Sequence, residues 1–399
     1  MDANYAITLT REFNLLEPED VLKWEVLRPE EKSIDFTQAD KIVDFAVRHN
    51  MKVRGHTLVW HQQNPTWLTA EPRTPDQLSK LLENHIKTVV GHYRGKIFAW
   101  DVANEAFDEV VPGTLRSTIW YDRPGIGYSR QGFAYLAQCF RWAHEADPDA
   151  LLFYNEAEAN EINPKSDAIY AMVREFQRQG VPIHGVGLQM HIENLRADVT
   201  SIAANIARFT ALGLQVHITE LDVSLPVDAT GKATHEDLDR QADIYHGVAK
   251  ACLMHKGCTA IQTWGFTDRF SWIGSHSKGT RGAALPFDRN YQPKPAYQAL
   301  RNALEQAGSQ YSIVDSRLSL GPQLLFTRLL EERSNDYRLS TNDRSHGSIM
   351  SSILGRTRSN SRRGAETVWT AQSRYRIGDR RLSVACDSGG PGFVQPQVP

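Results

Sequence analysis

Two apolar, strand-like segments each place a glutamate where carbohydrate chemistry would need one. Residues 100–106 contain Glu105, and residues 217–223 contain Glu220. Two carboxyl groups that face each other across a cleft are the minimum equipment for cleaving a glycosidic bond with retention of configuration. One protonates the leaving oxygen, while the other attacks the anomeric carbon. If the fold brings Glu105 and Glu220 into one pocket, this reaction follows.

The neighbours of Glu220 favour the role of nucleophile. Asp222 follows two residues later, and His191 lies on the preceding predicted strand, from which it could bridge both carboxylates. A carboxylate that is held by hydrogen bonds stays ionised, as a nucleophile must. We therefore predict that His191 and Asp222 orient Glu220.

The neighbours of Glu105 favour the role of proton donor. Trp100 and Phe107 flank it in the sequence, so we expect an apolar, aromatic setting that keeps a carboxyl group protonated. Asn104 directly precedes it and could donate a hydrogen bond to the sugar 2-hydroxyl, a contact that strengthens in the transition state.

Each of these residues has an ordinary structural interpretation when it is taken alone. A single glutamate near a strand end is more often a surface or loop-anchoring residue, and a single histidine such as His191 is more often a hydrogen-bonded core residue. Trp60, Trp264 and Trp272, taken one by one, are more often core residues. Their joint occurrence at strand ends, in the right order, is what favours a functional interpretation.

The elements that must position these residues alternate between strand-like and helix-like patterns over residues 1–308. Apolar side chains recur at three- and four-residue intervals in the helical segments, and Asn163 is a good N-cap for one of them. Repeated strand–helix units of this kind imply a parallel sheet. The predicted helices are 38–49, 76–93, 164–179 and 294–306, and the predicted strands are 12–16, 52–60, 97–103, 151–155, 186–190, 215–221 and 260–266.

This alternation predicts a (β/α)8 TIM barrel, an α/β fold, that lacks its first strand. A closed barrel of this type needs eight strands, and only seven are predicted. A helix follows the seventh strand, so we expect the missing strand to precede residue 1, with residues 3–10 as the end of the first helix. Glu105 and Glu220 would then end the fourth and seventh strands, and their carboxyl groups would approach to about 5 Å.

Residues 309–399 differ in composition from the rest of the chain. Lys294 is the last lysine, whereas arginine, serine and glycine become frequent. We predict a largely disordered tail that follows a catalytic domain of residues 1–308. Two alternatives stay open, namely a basic tail that binds a partner and an incorrectly predicted 3′ end of the gene.

The overall composition argues against several classes of protein. The 399 residues carry a net charge of -2, so no basic field attracts nucleic acid. No apolar run is long enough for a transmembrane helix, and the first residues lack the basic and apolar regions of a signal peptide. No His/Cys spacing suggests a metal site, and we expect neither a metal nor a cofactor.

The cysteines leave one pairing open. Four cysteines are too few for a disulfide framework in a chain of this length. Cys252 and Cys258 are close enough in sequence for a local disulfide, although two such thiols are free as often as they are bridged. Cys139 and Cys386 have no obvious partners.

Six motifs resemble those of glycoside hydrolase family ten, the endo-β-1,4-xylanases, and occur in the same order as in that family. They lie at 54–61, 100–106, 187–191, 218–223, 263–272 and 285–297, so that the resemblance runs from about residue 5 to residue 305. It implies a TIM barrel that hydrolyses xylan by double displacement, with Glu105 as the acid/base and Glu220 as the nucleophile. It also implies a monomer that binds xylan or xylo-oligosaccharides and that is secreted, although no signal peptide is visible.

The resemblance further implies a set of side chains that line the glycone subsites next to the cleaved bond. Lysine, histidine and amide groups would donate to sugar hydroxyls, and indole rings would stack on pyranose faces. Crowding by two of the indoles would favour xylose, which lacks the hydroxymethyl group of glucose. The set is Glu19, Lys23, His56, Trp60, Gln63, Asn104, Gln189, Trp264 and Trp272.

The chain also departs from the family pattern. Asp20 replaces an asparagine beside the second glycone sugar, and Leu22 replaces a methionine. Residues 155–158 read Asn-Glu-Ala-Glu where the family usually has Asn-Asp-Tyr-Asn, so an aromatic side chain is lost on the leaving-group side. The departures and the missing strand keep two rival interpretations open: a related barrel hydrolase that acts on β-glucan or aryl glycosides, and an inactive, truncated barrel that only binds sugar.

Overall fold

Helices and strands alternate along the chain, as the sequence predicts. The computed structural model describes residues 2–314, and the side chains of residues 2–307. The strands are β1 (Leu15–Leu16), β2 (Lys52–Gly55), β3 (Ala99–Asn104), β4 (Leu151–Glu156), β5 (Gly185–Leu188), β6 (His191–Ile192), β7 (Gln215–Val223), β8 (Leu225–Pro226), β9 (Cys258–Thr263) and β10 (Arg281–Gly282). The helices are α1 (Ala3–Glu12), α2 (Trp24–Leu27), α3 (Thr37–Arg48), α4 (Trp67–Ala70), α5 (Pro75–His92), α6 (Ala134–Ala146), α7 (Pro164–Arg178), α8 (Val199–Ala211), α9 (His235–Leu253), α10 (Ile273–His276) and α11 (Pro295–Val314).

Helices α5 and α7 begin at strong N-terminal signals. The Thr74 hydroxyl accepts from the backbone N–H of Gln77, whose side chain accepts from the backbone of Thr74 in return. Asn163 and Ser166 make the corresponding pair at the start of α7. Each pair satisfies two N–H groups that the first turn of a helix leaves without partners, and a proline follows each cap. The predicted N-cap at Asn163 is therefore confirmed.

Within the described residues, seven strands run parallel in one sheet that curls into a barrel. Backbone hydrogen bonds join them in the order β1, β2, β3, β4, β5, β7, β9, and β6 lies beside the end of β7. Buried aliphatic and aromatic side chains fill the space between the sheet and the outer helices. The predicted TIM-barrel fold is thereby confirmed, and the carboxyl ends of its strands meet at one face.

Two of the predicted strands, 12–16 and 52–60, are much shorter in the structure than in the prediction. Glu12 is the last residue of α1, because the helix continues two residues beyond its predicted end. Strand β2 ends at Gly55, but the next residues stay beside β3, where the Leu58 N–H donates to the Asp101 carbonyl at 3.0 Å and the Asn104 N–H donates to the Val59 carbonyl at 2.9 Å. The segment up to Trp60 is therefore a loop that enters the face where the strands end.

Between β1 and β9 the described part of the barrel is closed by side chains, whereas backbone hydrogen bonds join the other neighbouring strands. In the described chain these two strands do not pair with each other through their backbones. Instead, the side-chain amide of Gln262 on β9 donates to the Glu17 carboxylate, just after β1, at 2.5 Å. Tyr5 of α1 packs on Phe266, with ring centroids 4.5 Å apart, and both line the cavity between the strands. This seam lies where the sequence predicts a missing strand, and side chains close it.

The end of the described chain is helical. Helix α11 continues to Val314, across the predicted domain boundary at residue 308. The rest of the predicted tail lies outside the described residues, so the division into 1–308 and 309–399 stays a prediction. Among the described helices, none has the length and apolar character that a membrane span requires.

A disulfide joins Cys252, near the end of α9, to Cys258, the first residue of β9. It ties a helix to the strand that follows it across a short turn. The alternative of two free thiols is therefore wrong. Cys139 is a buried free cysteine on α6, and Cys386 lies outside the described residues.

Candidate active site

A cleft of about 790 Å³ opens where the barrel strands end. Its size falls in the range of binding sites for small ligands. Two of the predicted site residues lie outside it: Asp222 is buried behind it, and Glu19 lines the seam cavity next to Gly265. The predicted residues that line the cleft itself are Lys23, His56, Trp60, Gln63, Asn104, Glu105, Gln189, His191, Glu220, Trp264 and Trp272.

Glu105 follows the last residue of β3 and projects into this cleft. Its carboxylate oxygen Oε2 accepts from the indole N–H of Trp60 at 2.8 Å. The other oxygen, Oε1, accepts from the side-chain amide of Gln189 at 2.9 Å. The carboxyl group is thus held at both oxygens by neutral donors on two different segments, which aims it into the cleft.

The predicted aromatic setting of Glu105 is wrong in one respect. The ring of Trp100 lies outside the sheet, against Gly55 and with its centroid 6.3 Å from that of Tyr93. The pairing of β3 with β4 shifts by one residue after Asp101, which exchanges the two faces of the strand. Sequence proximity placed the indole next to the carboxyl group, but Trp100 alternates with Asp101, which faces Arg54 and His56 in the interior, so the indole lies on the outer face.

Glu220 lies within β7 and has charged and polar partners. Asn155 donates to its Oε1 at 2.7 Å, and the ring nitrogen Nε2 of His191 lies 3.0 Å from its Oε2. The other ring nitrogen, Nδ1, lies 2.9 Å from Asp222, which also accepts from the indole N–H of Trp272 at 2.9 Å. His191 therefore bridges the two carboxylates, as the sequence analysis suggested.

The surroundings of the bridging histidine favour its protonated form. Burial alone would lower the pKa of His191, but the adjacent Asp222 and Glu220 carboxylates outweigh burial and raise this pKa well above its ordinary value. A protonated ring donates from both nitrogens, so it stabilises the ionised form of each carboxylate. This arrangement suits Glu220 as a nucleophile.

A continuous set of hydrogen bonds links the two catalytic candidates. The amide of Gln189 donates to Glu105 and also to Asn104 Oδ1, at 3.2 Å. Asn155 donates to the same Asn104 oxygen at 2.9 Å and to Glu220. Since the oxygen of Asn104 is used as an acceptor, its N–H groups can donate to a sugar hydroxyl in the cleft.

The sequence analysis missed Asn155 as a site residue. Its carbonyl accepts from the Glu105 N–H at 3.0 Å, its amide donates to Glu220, and its side-chain oxygen accepts from the Thr219 hydroxyl at 2.8 Å. The residue is fully buried, at 0% exposure. Its place near the carboxyl end of β4, next to the strand that leads to Glu105, was the signal available in the sequence.

The floor of the cleft is an ion-pair network. Arg54, which is fully buried, forms a bidentate pair with Asp101, and Asp101 also lies 3.0 Å from Nδ1 of His56. Burial by itself would raise the pKa of Asp101, but Arg54 and His56 lower it. Burial and the Asp101 charge raise the pKa of Glu17, the next carboxyl group, well above its ordinary value.

This floor also contains the donor atoms that would best suit a cation. Glu17, His56 and Asp101 each offer one atom, and these atoms lie within 4.8 Å of one another. The Arg54 guanidinium already occupies the position of the counter-charge, with its Nε 3.9 Å from Glu17. A fixed cation at this place opposes the binding of a second one, so the group acts as an ion-pair network.

Asp20, which stands where the family pattern has an asparagine, lies at one end of the cleft. The Lys23 ammonium lies 3.2 Å from the Asp20 carboxylate and 4.8 Å from the centre of the Trp60 ring. The amide of Gln63 also donates to Asp20, at 3.4 Å. A carboxylate accepts hydrogen bonds but does not donate them, so a sugar hydroxyl here must act as the donor.

Two indole rings also line the cleft. Trp264 meets the ring of His56 edge-on, with centroids 5.4 Å apart, and Trp272 meets His191 in the same way at 5.1 Å. At the other departure, Ala157 and Glu158 line the cleft where the family pattern has an aromatic residue and an asparagine. At these two positions the cleft therefore offers a methyl group and a carboxylate in place of a ring and an amide.

A parallel α/β barrel with two partnered carboxyl groups in a cleft at its strand ends defines the class of barrel glycoside hydrolases. Residues 1–303 match the model of glycosyl hydrolase family 10, and the chain belongs to this family. The resemblance that the sequence motifs indicated is thereby confirmed.

Similar proteins support the same assignment. The chain is 43% identical over 302 residues to endo-1,4-beta-xylanase B of Thermotoga neapolitana, a match that covers 76% of this chain and 84% of that relative. It is 40% identical over 301 residues to a beta-1,4-xylanase of Dictyoglomus thermophilum, covering 74% and 83%.

Solved structures show the same similarity. Native xylanase 10B from Thermotoga maritima superposes with a TM-score of 0.72 at 42% identity, over 78% of this chain and 92% of that chain. Xylanase 10B from Thermotoga petrophila RKU-1, in complex with xylobiose, superposes with a TM-score of 0.71 at 43% identity, over 77% and 90%.

Proposed function

We propose that this protein is a retaining endo-1,4-β-xylanase. The observation that carries the proposal is the presence of Glu105 and Glu220 in one cleft, each held by a different set of donors. The relatives named as endo-1,4-beta-xylanases and the related structure with bound xylobiose support xylan as the substrate.

The first step forms a covalent intermediate. The Glu220 carboxylate, held by hydrogen bonds from His191 and Asn155, attacks the anomeric carbon of a bound xylosyl unit. The bond to the leaving oxygen breaks as Glu105 transfers its proton to that oxygen. The product is a glycosyl ester on Glu220 and a shortened chain with a free hydroxyl.

The second step releases the sugar. The ionised Glu105 removes a proton from a water molecule, and the water oxygen attacks the anomeric carbon. The ester bond breaks and Glu220 leaves as a carboxylate. Two inversions at one carbon give net retention, and both glutamates return to their starting protonation states.

The shape of the site supports a xylan chain over a glucan. Trp264 and Trp272 stand over the part of the cleft that contains His191 and Glu220. A pyranose without a hydroxymethyl group fits beside two indole rings with less crowding than glucose does. The Lys23 ammonium and the His56 ring supply polar contacts for hydroxyls at the same end.

Product stereochemistry and substrate choice test this proposal together. Proton NMR during early hydrolysis of xylan should show the β-anomer of the reducing end first, followed by mutarotation. Direct release of the α-anomer would reject the retaining mechanism. Faster hydrolysis of carboxymethylcellulose than of xylan would favour the β-glucanase alternative, and binding of xylo-oligosaccharides without turnover would favour the inactive barrel.

We also propose that the enzyme acts outside the cell, as a monomer. A polymeric substrate stays outside the cell, and the Cys252–Cys258 disulfide suits an oxidising environment. Detection of the activity in the culture medium of the native organism, and light scattering of the purified protein, would test the two statements separately.

A further inference from the structure

Glu105 has a strained backbone conformation. Its φ is +52°, in the left-handed region that residues other than glycine rarely adopt. A residue keeps such a conformation only where its surroundings hold it. Its own N–H is held by the carbonyl of Asn155 on the neighbouring strand β4.

The next two N–H groups of the chain are held by side chains of the same strand. The Ala106 N–H donates to the hydroxyl oxygen of Tyr154 at 3.0 Å. The Phe107 N–H donates to the carboxyl oxygen Oε2 of Glu156 at 3.3 Å. Two side chains therefore continue the pairing of this segment with β4 at the point where the backbone ladder ends.

Tyr154 and Glu156 form one buried unit behind the cleft. Both are 0% exposed, and the Tyr154 hydroxyl donates to the same Glu156 oxygen that accepts from the Phe107 N–H. Lys165 of α7 donates to the other oxygen at 3.3 Å. Burial raises the pKa of Glu156 to about 7, although Lys165 and Tyr154 oppose this shift. The nearby Glu105 adds to it.

We propose that Tyr154 and Glu156 are positioning residues for the acid/base, an inference that rests on the proposed function. Neither of them lines the cleft, whereas Asn155, which lies between them, reaches Glu220. They act by holding the two N–H groups that follow Glu105. When these bonds are lost, the left-handed turn relaxes and the Glu105 carboxyl group moves away from the leaving oxygen.

A displaced proton donor has a specific kinetic signature. The alkoxide of a xylose unit is a poor leaving group and needs protonation, whereas dinitrophenolate leaves without it. Loss of the positioning contacts should therefore slow the hydrolysis of xylan much more than that of a dinitrophenyl xylobioside. A purely structural role would affect both substrates equally.

The first experiment replaces Tyr154 by phenylalanine, which removes the hydroxyl and keeps the ring. We expect kcat/KM on xylan to fall about tenfold and kcat/KM on the dinitrophenyl substrate to fall less than about twofold. The matched control is Tyr93→Phe, since Tyr93 also donates to a carboxylate, Asp40, at 3.0 Å, but on the outer helices. Equal losses of Tyr154→Phe on both substrates, no loss on xylan, or the same selective loss in the control, would overturn the inference.

If Tyr154→Phe does not fold, a second pair of variants tests the inference. Glu156→Gln keeps an oxygen that accepts from Tyr154 and from the Phe107 N–H. The ratio of kcat/KM on xylan to kcat/KM on the dinitrophenyl substrate should therefore stay near that of the wild type. Glu156→Leu removes the acceptor, and the ratio should fall. The same ratio in both variants would overturn the inference.

The wild-type protein separates this inference from the proposed function. A wild type that hydrolyses neither substrate would reject the proposed function and the inference with it. A wild type that hydrolyses both, together with variants that lose both activities equally, would reject only the positioning role of Tyr154 and Glu156.

Discussion

At the scale of single residues, the two catalytic candidates differ in the charge of their partners. Glu105 accepts from the neutral side chains of Trp60 and Gln189, whereas Glu220 accepts from a cationic ring, His191. A positive neighbour favours the ionised form of a carboxyl group, and a neutral donor does so less strongly. This difference supports the proposal that Glu220 is the nucleophile and that Glu105 carries out the proton transfers.

Replacing Glu220 by alanine removes the nucleophile. We expect less than about 1% of wild-type kcat on an aryl xyloside, because no glycosyl ester can form. Stopped assays with a chromogenic aryl xyloside measure this loss. The control is Glu83→Ala, an exposed glutamate of α5 that pairs with Lys87 away from the cleft. Residual activity clearly above this level would contradict the assignment.

Replacing Glu105 by alanine removes the proton donor but leaves the nucleophile. We expect a loss of at least about a hundredfold on xylan, and a far smaller loss for the first step with a dinitrophenyl xyloside, which needs no protonation. Pre-steady-state release of dinitrophenolate measures that step. Equal losses on both substrates would argue against the acid role.

His191 makes the stability of the protein depend on pH. The carboxylates of Asp222 and Glu220 raise its pKa above the unfolded value of about 6.5, against the effect of burial. The stabilisation is then fully present below about pH 6.5 and is lost as the pH rises through the folded-state pKa. The difference in unfolding free energy between wild type and His191→Asn should therefore be largest in mildly acidic solution and shrink as the pH rises. Urea unfolding across this range measures it, and a difference that grows with pH would refute the assigned charge.

At the scale of elements, contacts between neighbouring strands decide which side chains reach the cleft. Trp100 precedes the inward-facing Asp101 and so lies on the outer face of β3, where its ring covers Gly55 at the end of β2, whereas the shift in pairing after Asp101 brings Asn104 to the inner face. Asn104 and Glu105 then enter the cleft side by side. Helix caps such as Asn163 define where the surrounding helices begin, and the Asn163 amide also donates to the carbonyl of Glu158, which lines the cleft, at 2.8 Å.

The contact between β2 and β3 is tight enough to test. A Cβ atom on Gly55 would lie 2.2 Å from Cε3 of Trp100, so Gly55→Ala must displace the ring. We expect a loss of about 1–3 kcal/mol in unfolding free energy, measured with urea. Gly91→Ala on α5 is the control, because a Cβ there meets nothing within 4 Å and should stabilise the helix by about 0.5–1 kcal/mol. A neutral Gly55→Ala would show that this packing is loose.

At the scale of the whole molecule, the barrel wall holds the two glutamates on one face although part of it is closed by side chains. Glu17 and Gln262, which are 245 positions apart, bridge the seam between β1 and β9. The described residues that line the cleft lie between Lys23 and His276. The family match also ends at residue 303, before the end of α11.

The cleft-lining residues and the family match both end before the end of α11. We therefore predict that the C-terminal part of the chain is dispensable for catalysis. Deletion of 315–399 spares all of α11, and we expect kcat and KM on xylan within about twofold of the full chain. Parallel assays of the two purified proteins at equal concentration measure this. A large loss of activity or of thermal stability in the shortened protein would show that the deleted residues contact the barrel.

The sequence by itself determined the elements and the chemical groups. Periodic apolar residues, caps and strand-end motifs are local signals, so the barrel, the pair Glu105 and Glu220, and the bridging role expected of His191 could be read from it. Local signals also limited the prediction of boundaries, since they placed Glu12 in a strand although the structure has it in α1.

Only the tertiary structure decided which of these groups meet. The inward position of Asn104, the two hydrogen bonds of the Asn155 amide and the closure of the seam by Gln262 all depend on strands that are far apart in sequence. A shift of one residue in strand pairing exchanges the faces of a strand without any change in its hydrophobic pattern. Register is set by packing between distant segments, and no local pattern encodes it.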